Sequence, residues 1–527
     1  LHKGKGEVRM KVLYVPLDER PCNYRYPRFL SELAEGVELI APPREYMGIM
    51  KKPSNIDEIW RWIFENIGDC SYAILSVDAL IYGNIVNSRI HYKTIEECSK
   101  YLEYFEKLKQ INKNVEIHAF NLVARVAAYD SDAEDPFYWK DYGYKIWRYC
   151  YLTDKIGRGE ATKEEIGELD AVKEEIPQEY LKDFLDRRKV NLFVNQKCLE
   201  LVKEGLIDYL VIPKDDCAEY GFAAMDQHLI SRRIKELRIM DRVMVYPGAD
   251  EVGSVLFARV FNKHKGYVPR VYIRYSSTMG PTVIPKYEDR PLNESIKHQI
   301  ISAGGIVAGS AEESDLLLAV HSPGIRTLEA IEQYSESFRF SSYSNYSNAE
   351  ELIKYAIYYS EKYGKPFAVA DVAFCNGADD HFMMMAVKNK LFDRLCAYAG
   401  WNTSQNTIGS VLAHGILCSY YKGFEDNPEK YDASMKLLLR AIITDWLMQS
   451  KGTFRLTKLK DEYPDLNPYS LGEYSALAAI KVKDLLIELI QEELGGKFNG
   501  SRIELTELSF PWDRFFEIDV ELKLEKC

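Results

Sequence analysis

Short apolar runs alternate with longer amphipathic segments along most of this 527-residue chain. The first four runs cover residues 12–16, 37–41, 72–77 and 115–120, and segments of helical periodicity lie between them. Strand, helix and strand at this spacing indicate βαβ units, which build a parallel sheet. The alternation therefore predicts an α/β fold.

Further apolar runs continue the pattern at residues 209–212, 242–246, 271–275, 315–320, 367–372 and 395–398. About eight of these ten runs are strands of one type, each followed by a helix, and they match the eight units of a (β/α)8 barrel. We therefore expect such a barrel over residues 10–403. The alternative is a break near residue 265, with two doubly wound α/β domains facing a cleft.

Two regions depart from the strand and helix rhythm. Residues 130–205 are dense in Lys and Glu and predict a charged helical insertion, acting as a lid or flank. Residues 404–527 predict a mostly helical C-terminal region that ends in two strands, at 503–510 and 515–522. We expect both regions to be appendages of the barrel.

Composition narrows the range of partners. A net charge of −12 without a long basic tract disfavours nucleic acid as a partner. No stretch approaches the ~20 apolar residues that span a bilayer, and the polar start, residues 1–10, has no apolar core typical of a signal peptide. The ten cysteines show no CxxC pair and no zinc spacing, which is typical of reduced thiols in a cytoplasmic protein. We expect a cytoplasmic location and no membrane partner, and a homo-oligomer is compatible with the sequence.

Cofactor motifs do not appear in the sequence. The glycine-rich stretch at 303–309 lacks the GxGxxG spacing of dinucleotide sites, and neither a P-loop nor a GxSxG nucleophile motif occurs. The nine histidines form no HExxH motif or tight metal cluster. We therefore assign no cofactor and no metal ligands from the motifs alone.

Charged and amide residues follow most of the apolar runs. The carboxyl ends of the strands carry the active site on α/β scaffolds, and charge there is costly unless it has a function or a partner. The early strand ends supply Asp18, Arg20, Asp78 and Asn121. We expect these four residues to bind substrate. Arg20 is alternatively a structural ion-pair partner of Asp18 or Glu19.

The string Tyr246-Pro247-Gly248-Ala249-Asp250-Glu251-Val252 places two carboxylates where a strand ends. It resembles the Gly-Gly-Asp-Glu-Val signature of the β-N-acetylhexosaminidases of glycoside hydrolase family 20. The resemblance implies that Glu251 is the general acid and that Asp250 orients the acetamido group that attacks the anomeric carbon. A charged Asp beside a Glu raises the pKa of the Glu toward neutrality. The alternative is a helix-capping Asp with a solvated Glu.

A second acidic pair, Asp215 and Asp216, follows the run at 209–212. Paired Asp residues at a barrel strand end occur in other substrate-assisted hexosaminidases, with the same division of labour. We rank this pair just behind Asp250 and Glu251 as catalytic residues. The alternatives are binding of sugar hydroxyls and capping of the following helix.

The late strand ends are rich in amide side chains. Amides both donate and accept hydrogen bonds, which suits hydroxyl recognition, and a Trp stacks on a sugar ring. These ends predict substrate binding by Asn376, Asp379, Trp401, Asn402 and Asn406. The alternatives are a plain turn at Asn376 and a core position for Trp401.

Four strings together resemble an uncharacterised bacterial family, domain of unknown function 4127. They are residues 15–21, residues 246–252, Asn376-Gly377-Ala378-Asp379 and residues 400–407. The resemblance spans roughly Met10 to Glu517. It brings no assigned activity and implies a single architecture of this length.

Three functions compete at this point. The leading hypothesis is a glycoside hydrolase that acts on a short N-acetylated amino-sugar oligosaccharide with paired carboxylates. The second is a metal-dependent sugar isomerase or lyase that uses Asp371, Asp379, His321 and His381. The third is a non-catalytic sugar-binding protein. All three have a small carbohydrate as their partner.

Overall fold

The computed structural model describes residues 10–339, 343–457 and 459–526. Cys527 and most of the polar start lie outside the described residues. The strands are β1 (Met10–Val15), β2 (Val37–Ile40), β3 (Tyr72–Ser76), β4 (Glu116–Phe120), β5 (Tyr209–Lys214), β6 (Val243–Pro247), β7 (Arg270–Tyr275), β8 (Ile306–Val307), β9 (Leu316–His321), β10 (Leu328–Glu329), β11 (Phe367–Asp371), β12 (Phe374–Cys375), β13 (Ala397–Ala399), β14 (Lys497–Phe498), β15 (Ser501–Ser509) and β16 (Asp519–Lys526).

Helices connect nearly all of these strands. They are α1 (Pro21–Tyr24), α2 (Tyr26–Leu33), α3 (Ile56–Asn66), α4 (Val77–Ile81), α5 (Ile85–Ile90), α6 (Ile95–Leu102), α7 (Tyr104–Ile111), α8 (Trp139–Gly157), α9 (Lys163–Glu174), α10 (Gln178–Glu204), α11 (Phe222–Leu237), α12 (Val252–Lys265), α13 (Leu292–Ser302), α14 (Glu336–Arg339), α15 (Ala349–Tyr363), α16 (Asp380–Lys388), α17 (Ser404–Tyr420), α18 (Pro428–Ala441), α19 (Thr453–Leu456), α20 (Leu459–Glu462) and α21 (Ser475–Leu494). A π-helical stretch, Ile442–Gly452, joins α18 to α19.

The chain divides into two compact units, and the first contains residues 10–19, 36–253 and 287–289. Its six strands form one sheet in the order β2-β1-β3-β4-β5-β6, and every pairing in it is parallel. The strand order reverses beside β1, because β2 pairs on one side of it and β3 on the other. This is the arrangement of an open, doubly wound sheet, in which ligands bind at the carboxyl ends near the reversal.

The second unit contains residues 20–35 and 254–286 and the described part of 290–526. Its main sheet has the order β13-β11-β9-β7-β8 with parallel pairings, and its order reverses beside β7. A parallel pair, β10 with β12, and an antiparallel sheet, β14-β15-β16, complete the unit. The predicted two closing strands are therefore confirmed, with β14 added beside them.

The predicted positions of the parallel strands are confirmed, but the closed eight-stranded barrel is not what these strands build. The structure is a mixed α/β protein with two separate open parallel sheets of six and five strands. Each sheet is open and has an edge strand on either side. In each, the second strand along the chain pairs with one side of the first strand, and the third strand pairs with the other side. The alternative with a break near residue 265 places the division between β6 and β7, where the structure has it.

The helical insertion predicted at 130–205 is present as α8, α9 and α10, and it does more than flank the first unit. Its helices pack around a small hydrophobic cluster of their own that includes Trp139, Ile146 and Phe184. From α10, Asn195 donates a 2.6 Å hydrogen bond to Asn121, directly after β4. The insertion therefore reaches the carboxyl edge of the first sheet. The boundary predicted at residue 403 does not coincide with the division into units.

Among the described residues, no helix has the length and apolar character needed to cross a bilayer.

Helix α17 lies unusually close to the second sheet. A Cβ atom on Gly415 would come within 3.0 Å of Leu316 on β9 and within 3.1 Å of Ala368 on β11. Only glycine lets the helix backbone approach two adjacent strands at this distance. The contact fixes α17 against the sheet, and the amino end of this helix carries one predicted site residue, Asn406.

Replacing Gly415 with Leu should lower the free energy of unfolding by about 1 to 3 kcal/mol, because the larger side chain overpacks the contact between helix and sheet. The measurement is urea unfolding followed by circular dichroism. As a control, Gly167→Leu in α9 places the same side chain where nothing lies within 4 Å of the Cβ position. That variant should be neutral or slightly stabilising, since Leu favours helix over Gly by up to about 1 kcal/mol. Equal effects at the two sites would contradict the close approach of α17.

Candidate functional site

The acidic and amide residues predicted in the first unit follow the carboxyl ends of parallel strands, so they share one edge of one sheet. These residues are Asp18 after β1, Asp78 after β3, Asn121 after β4, Asp215 and Asp216 after β5, and Asp250 and Glu251 after β6. The remaining predicted residues belong to the second unit: Arg20, Asn376, Asp379, Trp401, Asn402 and Asn406. The predicted residues thus form two groups.

Asp215 is the anchored member of the acidic pair. Its Oδ2 accepts hydrogen bonds from Arg89 Nε at 3.1 Å and from Arg89 Nη2 at 2.6 Å. The same guanidinium donates from Nη1 to Glu134 at 2.7 Å. Both carboxylates approach Arg89 closely, and charge-assisted bonds of this kind are among the stronger hydrogen bonds in proteins.

Asp216 has a different environment. Arg125 donates from Nη1 to its Oδ2 at 2.9 Å and from Nη2 to Asp135 at 2.7 Å. Burial and the negative charge of Asp215 raise the pKa of Asp216 to about 6, although Arg125 and Arg89 oppose the shift. The side chain of Asp216 is nevertheless 28% exposed, against 10% for Asp215. Asp216 is therefore a carboxyl that reaches solvent and exchanges its proton near neutral pH.

Asp78 lies deeper in the same edge. Its Oδ2 accepts from Asn121 Nδ2 at 3.1 Å and from the backbone N–H of Leu122 at 2.9 Å. Burial raises the pKa of Asp78 to about 7, and these two hydrogen bonds only partly oppose that effect. Asn121 is itself buried and held by Asn195. Asn121 therefore orients Asp78 in this structure.

The loop after β6 holds Glu251 against its own backbone. Gly248 has a φ of +136°, and a Cβ atom there would lie 2.1 Å from Glu251 Oε1. The other carboxylate oxygen, Oε2, accepts the N–H of Ala249 at 2.9 Å. Glu251 is fully buried and Asp250 nearly so. The missing side chain and positive φ of Gly248 make room for this carboxylate.

The first strand end separates two predicted residues. Asp18 is fully buried in the first unit. In the second unit, Arg20 donates to Glu517 at 2.8 Å, and its guanidinium lies 4.2 Å from the centre of the Trp512 ring. Arg20 thus takes part in a structural ion pair with Glu517, whereas the sequence suggests Asp18 or Glu19 as the partner.

A small cavity of about 20 Å³ lies beside the arginines of the first unit, with room for about one water molecule. Its lining consists of Arg89, Ala124, Arg125, Asp135, Pro136, Trp139, Phe184, Arg187, Arg188 and Asn191. A sugar ring is far larger than this cavity.

The second unit has its own buried acid at a strand end. Asp371, the last residue of β11, accepts the N–H of Asp379 at 2.8 Å and the hydroxyl of Tyr398 at 3.4 Å through Oδ2. Burial raises the pKa of Asp371 to about 7. Asp379 caps the amino end of α16, where its Oδ1 accepts the N–H groups of His381 and Phe382. Both acids are therefore fixed by the backbone at the start of this helix.

The amide residues of the second unit are engaged within the protein. Asn376, at a φ of +60°, donates to Glu329 at 2.7 Å, and its N–H donates to the carbonyl of Asn402 at 2.8 Å. Trp401 is buried, and Thr407 exchanges hydrogen bonds with its backbone N–H and carbonyl. Asn406 is buried in the first turn of α17. Asn376 therefore lies in a turn and Trp401 lies in the core, which is the local geometry of the two alternatives to substrate binding.

Three acidic residues that contact the residues described above were not predicted from the sequence. Glu134 and Asp135 lie in the charged insertion, where nothing distinguishes them from solvated neighbours. Asp445 lies in the π-helical stretch and accepts the N–H of Gly400 at 2.9 Å, and burial raises its pKa to about 7. A polar residue within a long apolar helix was the available signal for Asp445.

The four residues considered for a metal-dependent enzyme do not assemble as a metal site. Across the ranges that the structure describes, no group of three or more His, Cys, Asp or Glu residues is arranged to hold a metal ion. His381 is exposed, whereas His321 and Asp371 are buried. The metal-dependent alternative therefore has no ligand set in the described residues.

The chain matches a known protein family. Residues 12–521 match the family described as "Protein of unknown function (DUF4127)". The chain belongs to this DUF4127 family. The match covers nearly the whole chain, as the four strings predicted, so both acidic clusters are parts of the DUF4127 region. A comparison with curated proteins finds no match.

The raised pKa of Asp78 predicts a pH-dependent stability for this DUF4127 protein. The folded state holds the Asp78 proton up to about pH 7, whereas an unfolded Asp releases it near pH 3.9. Stability attributable to this group is therefore greatest below pH 4 and falls by up to about 1.4 kcal/mol per pH unit until pH 7. Asp78→Asn removes the titration, so the free energy of unfolding of the variant relative to wild type should increase between pH 4 and pH 7.

Urea unfolding at several pH values measures this difference. The substitution Asp241→Asn, at an exposed position before β6, is the matched control and should show no such trend. A stability difference for Asp78→Asn that stays constant across this pH range would contradict the raised pKa.

Proposed function

We propose that this protein is a glycoside hydrolase whose acid and base chemistry is performed by Asp215 and Asp216. The observation that carries the proposal is the pKa of about 6 at Asp216 beside an Asp215 that is ion-paired with Arg89. Two neighbouring carboxyls whose environments differ in this way divide into a proton donor and a charged partner. The pair sits at the carboxyl edge of a parallel sheet, where α/β enzymes place their chemistry.

In this proposal Asp216 protonates the oxygen of the glycosidic bond. A general acid with a pKa near the working pH retains its proton in part of the molecules and gives it up readily. The exposed side of Asp216 is the side from which a sugar approaches. The leaving sugar then departs as an alcohol.

Asp215 orients the substrate's acetamido group in the same proposal. Its Oδ2 takes both hydrogen bonds from Arg89, and Oδ1 takes part in none of the hydrogen bonds found among the described residues. An acceptor oxygen held in a fixed direction is suited to the N–H of an acetamido group. The acetamido oxygen attacks the anomeric carbon as the glycosidic bond breaks, so that a separate enzymic nucleophile is unnecessary. Water then gives a proton to Asp216 and opens the cyclic intermediate, which releases the sugar.

The proposed substrate is a short N-acetylated amino-sugar oligosaccharide. A hydroxyl-rich substrate without negative charge suits an acidic protein, because the surface field does not repel it. Asp18 and Asp78 end strands at the same edge, but both are buried, so the proposal gives them no direct contact with the substrate. Glu251 is the second candidate for the proton donor, but its carboxylate is fully buried against Gly248, whereas Asp216 is partly exposed.

Replacing Asp216 with Asn should reduce kcat for an unactivated N-acetylglucosamine disaccharide by about 10² to 10⁴, the usual contribution of a general acid. The loss should be much smaller for the 2,4-dinitrophenyl N-acetylglucosaminide, because dinitrophenolate leaves without protonation. Both rates are measured after a screen of chromogenic N-acetylhexosaminides has identified the preferred sugar. Asp241→Asn should retain the wild-type rate on both substrates.

Two outcomes would reject this assignment. A leaving-group dependence that appears in Glu251→Gln and not in Asp216→Asn would transfer the acid to Glu251. Tight binding of sugars by the wild-type protein without turnover of any glycoside in the panel would favour the non-catalytic alternative.

A further inference from the structure

The second unit places a serine where its sheet reverses. Ser276 directly follows β7, and His321 is the last residue of β9, the neighbouring strand. These two strand ends border the point at which the strand order changes direction, a common ligand position in doubly wound sheets. Neither residue belongs to the cluster around Asp216.

Ser276, His321 and Asp379 form a continuous hydrogen-bonded chain. Ser276 Oγ lies 3.0 Å from His321 Nδ1, and His321 Nε2 lies 2.9 Å from Asp379 Oδ2. The Phe382 ring stacks on the imidazole, with ring centres 4.4 Å apart and planes 13° apart. The imidazole is therefore fixed in its plane as well as at both nitrogens.

The hydrogen bonds around Ser276 determine where its proton points. Its Oγ accepts the backbone N–H of Ser322 at 2.9 Å and the hydroxyl of Ser347 at 2.9 Å. A hydroxyl has two acceptor positions and one proton, so the proton remains for donation. The nearer acceptor is His321 Nδ1 at 3.0 Å, and the Ser322 carbonyl lies at 3.5 Å.

The charges around His321 favour its action as a base. Burial opposes ionisation of Asp379, but hydrogen bonds from His321 and from the Phe382 N–H hold its pKa below the usual value. An ionised Asp379 accepts hydrogen bonds only, so His321 Nε2 carries the hydrogen and Nδ1 presents its lone pair. Burial lowers the pKa of His321, but Asp379 and Asp371 together raise it above its ordinary value.

We propose that the second unit is an acyl-transfer site in which Ser276 is the nucleophile, His321 the base and Asp379 the positioning residue. Ser276 Oγ bonds to the carbonyl carbon of an ester as its proton passes to His321 Nδ1. The bond from that carbon to the alkoxide oxygen then breaks, and the leaving alcohol takes the proton from His321. Water releases the acyl group as a carboxylic acid by the same proton transfers, which returns Ser276 to its starting state.

The substrate class is an ester of a short acyl chain such as acetate. The packing beside the serine is close, because a Cβ atom on Gly280 would lie 2.3 Å from the Oγ of Ser322, whose backbone N–H donates to Ser276. This close packing disfavours long acyl chains, and the proposal therefore names the shortest ones. This site does not depend on the glycoside chemistry proposed for the first unit.

Labelling of the wild-type protein with a fluorophosphonate tests the proposal directly. An activated serine displaces fluoride from this reagent, and peptide mass spectrometry identifies the modified residue. We expect stoichiometric modification of Ser276, together with hydrolysis of 4-nitrophenyl acetate that the modification abolishes. A folded wild-type protein that remains unlabelled at Ser276 overturns the proposal, as does labelling confined to another serine.

Amino-acid substitutions distinguish a loss of the proposed chemistry from a loss of packing around Ser276. Ser277→Ala is the matched control, since Ser277 is the buried neighbour of Ser276 and hydrogen-bonds to Ser322 Oγ and to the Pro323 carbonyl. This control should retain the labelling rate, whereas Asp379→Asn should lower it at least 100-fold with an unchanged circular dichroism spectrum. A folded Asp379→Asn protein that reacts at the wild-type rate overturns the positioning assignment. If Ser276→Ala does not fold, the labelling of wild type decides the question alone.

Discussion

Buried carboxylates need compensating groups, and in the first unit that compensation is the pairing of Asp215 and Asp216 with Arg89 and Arg125. Removing an ion from water costs several kcal/mol, which a close partner and hydrogen bonds must offset. Each guanidinium also contacts an acid at the start of the insertion, so the strand end and the insertion stabilise each other. The arrangement leaves the carboxyl of Asp216 partly exposed, with a pKa of about 6. The proposed chemistry depends on that carboxyl.

Different groups stabilise the acids that follow β5 in the first sheet and the buried acids Asp371 and Asp445 of the second unit. In the first, two arginines neutralise the acids that follow β5. In the second, Asp371 and Asp445 receive backbone N–H groups, and burial raises the pKa of each to about 7, so both are partly protonated at neutral pH. Protonation avoids the cost of a buried charge. This difference accounts for the Arg-rich first cluster and the hydroxyl-rich and imidazole-containing second one.

The sequence was sufficient to predict the parallel strands and the polar residues that end them, because apolar runs of five or six residues have one stable placement in a sheet core. It was insufficient to predict whether the sheet closes. Closure depends on the side to which each crossover turns, and neither the strand after α2 nor the short β8 carries that information in its residues. The contacts of Glu134 and Asp135 were also hidden, since a charged insertion gives no sign of which carboxylates meet an arginine far away in sequence. Ser276 and Ser277, by contrast, form a polar pair directly after an apolar run. This is the same sequence signal as that of the acidic strand ends.

The central claim is the proton affinity of Asp216, and carbon-13 NMR of the protein labelled at aspartate carboxyl carbons measures it most directly. The resonance lost in Asp216→Asn identifies the group, and its titration gives the pKa. The account predicts a pKa of about 6. A value at or below the ordinary 3.9 of aspartate would show that Asp216 is a charged ion-pair partner of Arg125 and not a proton donor.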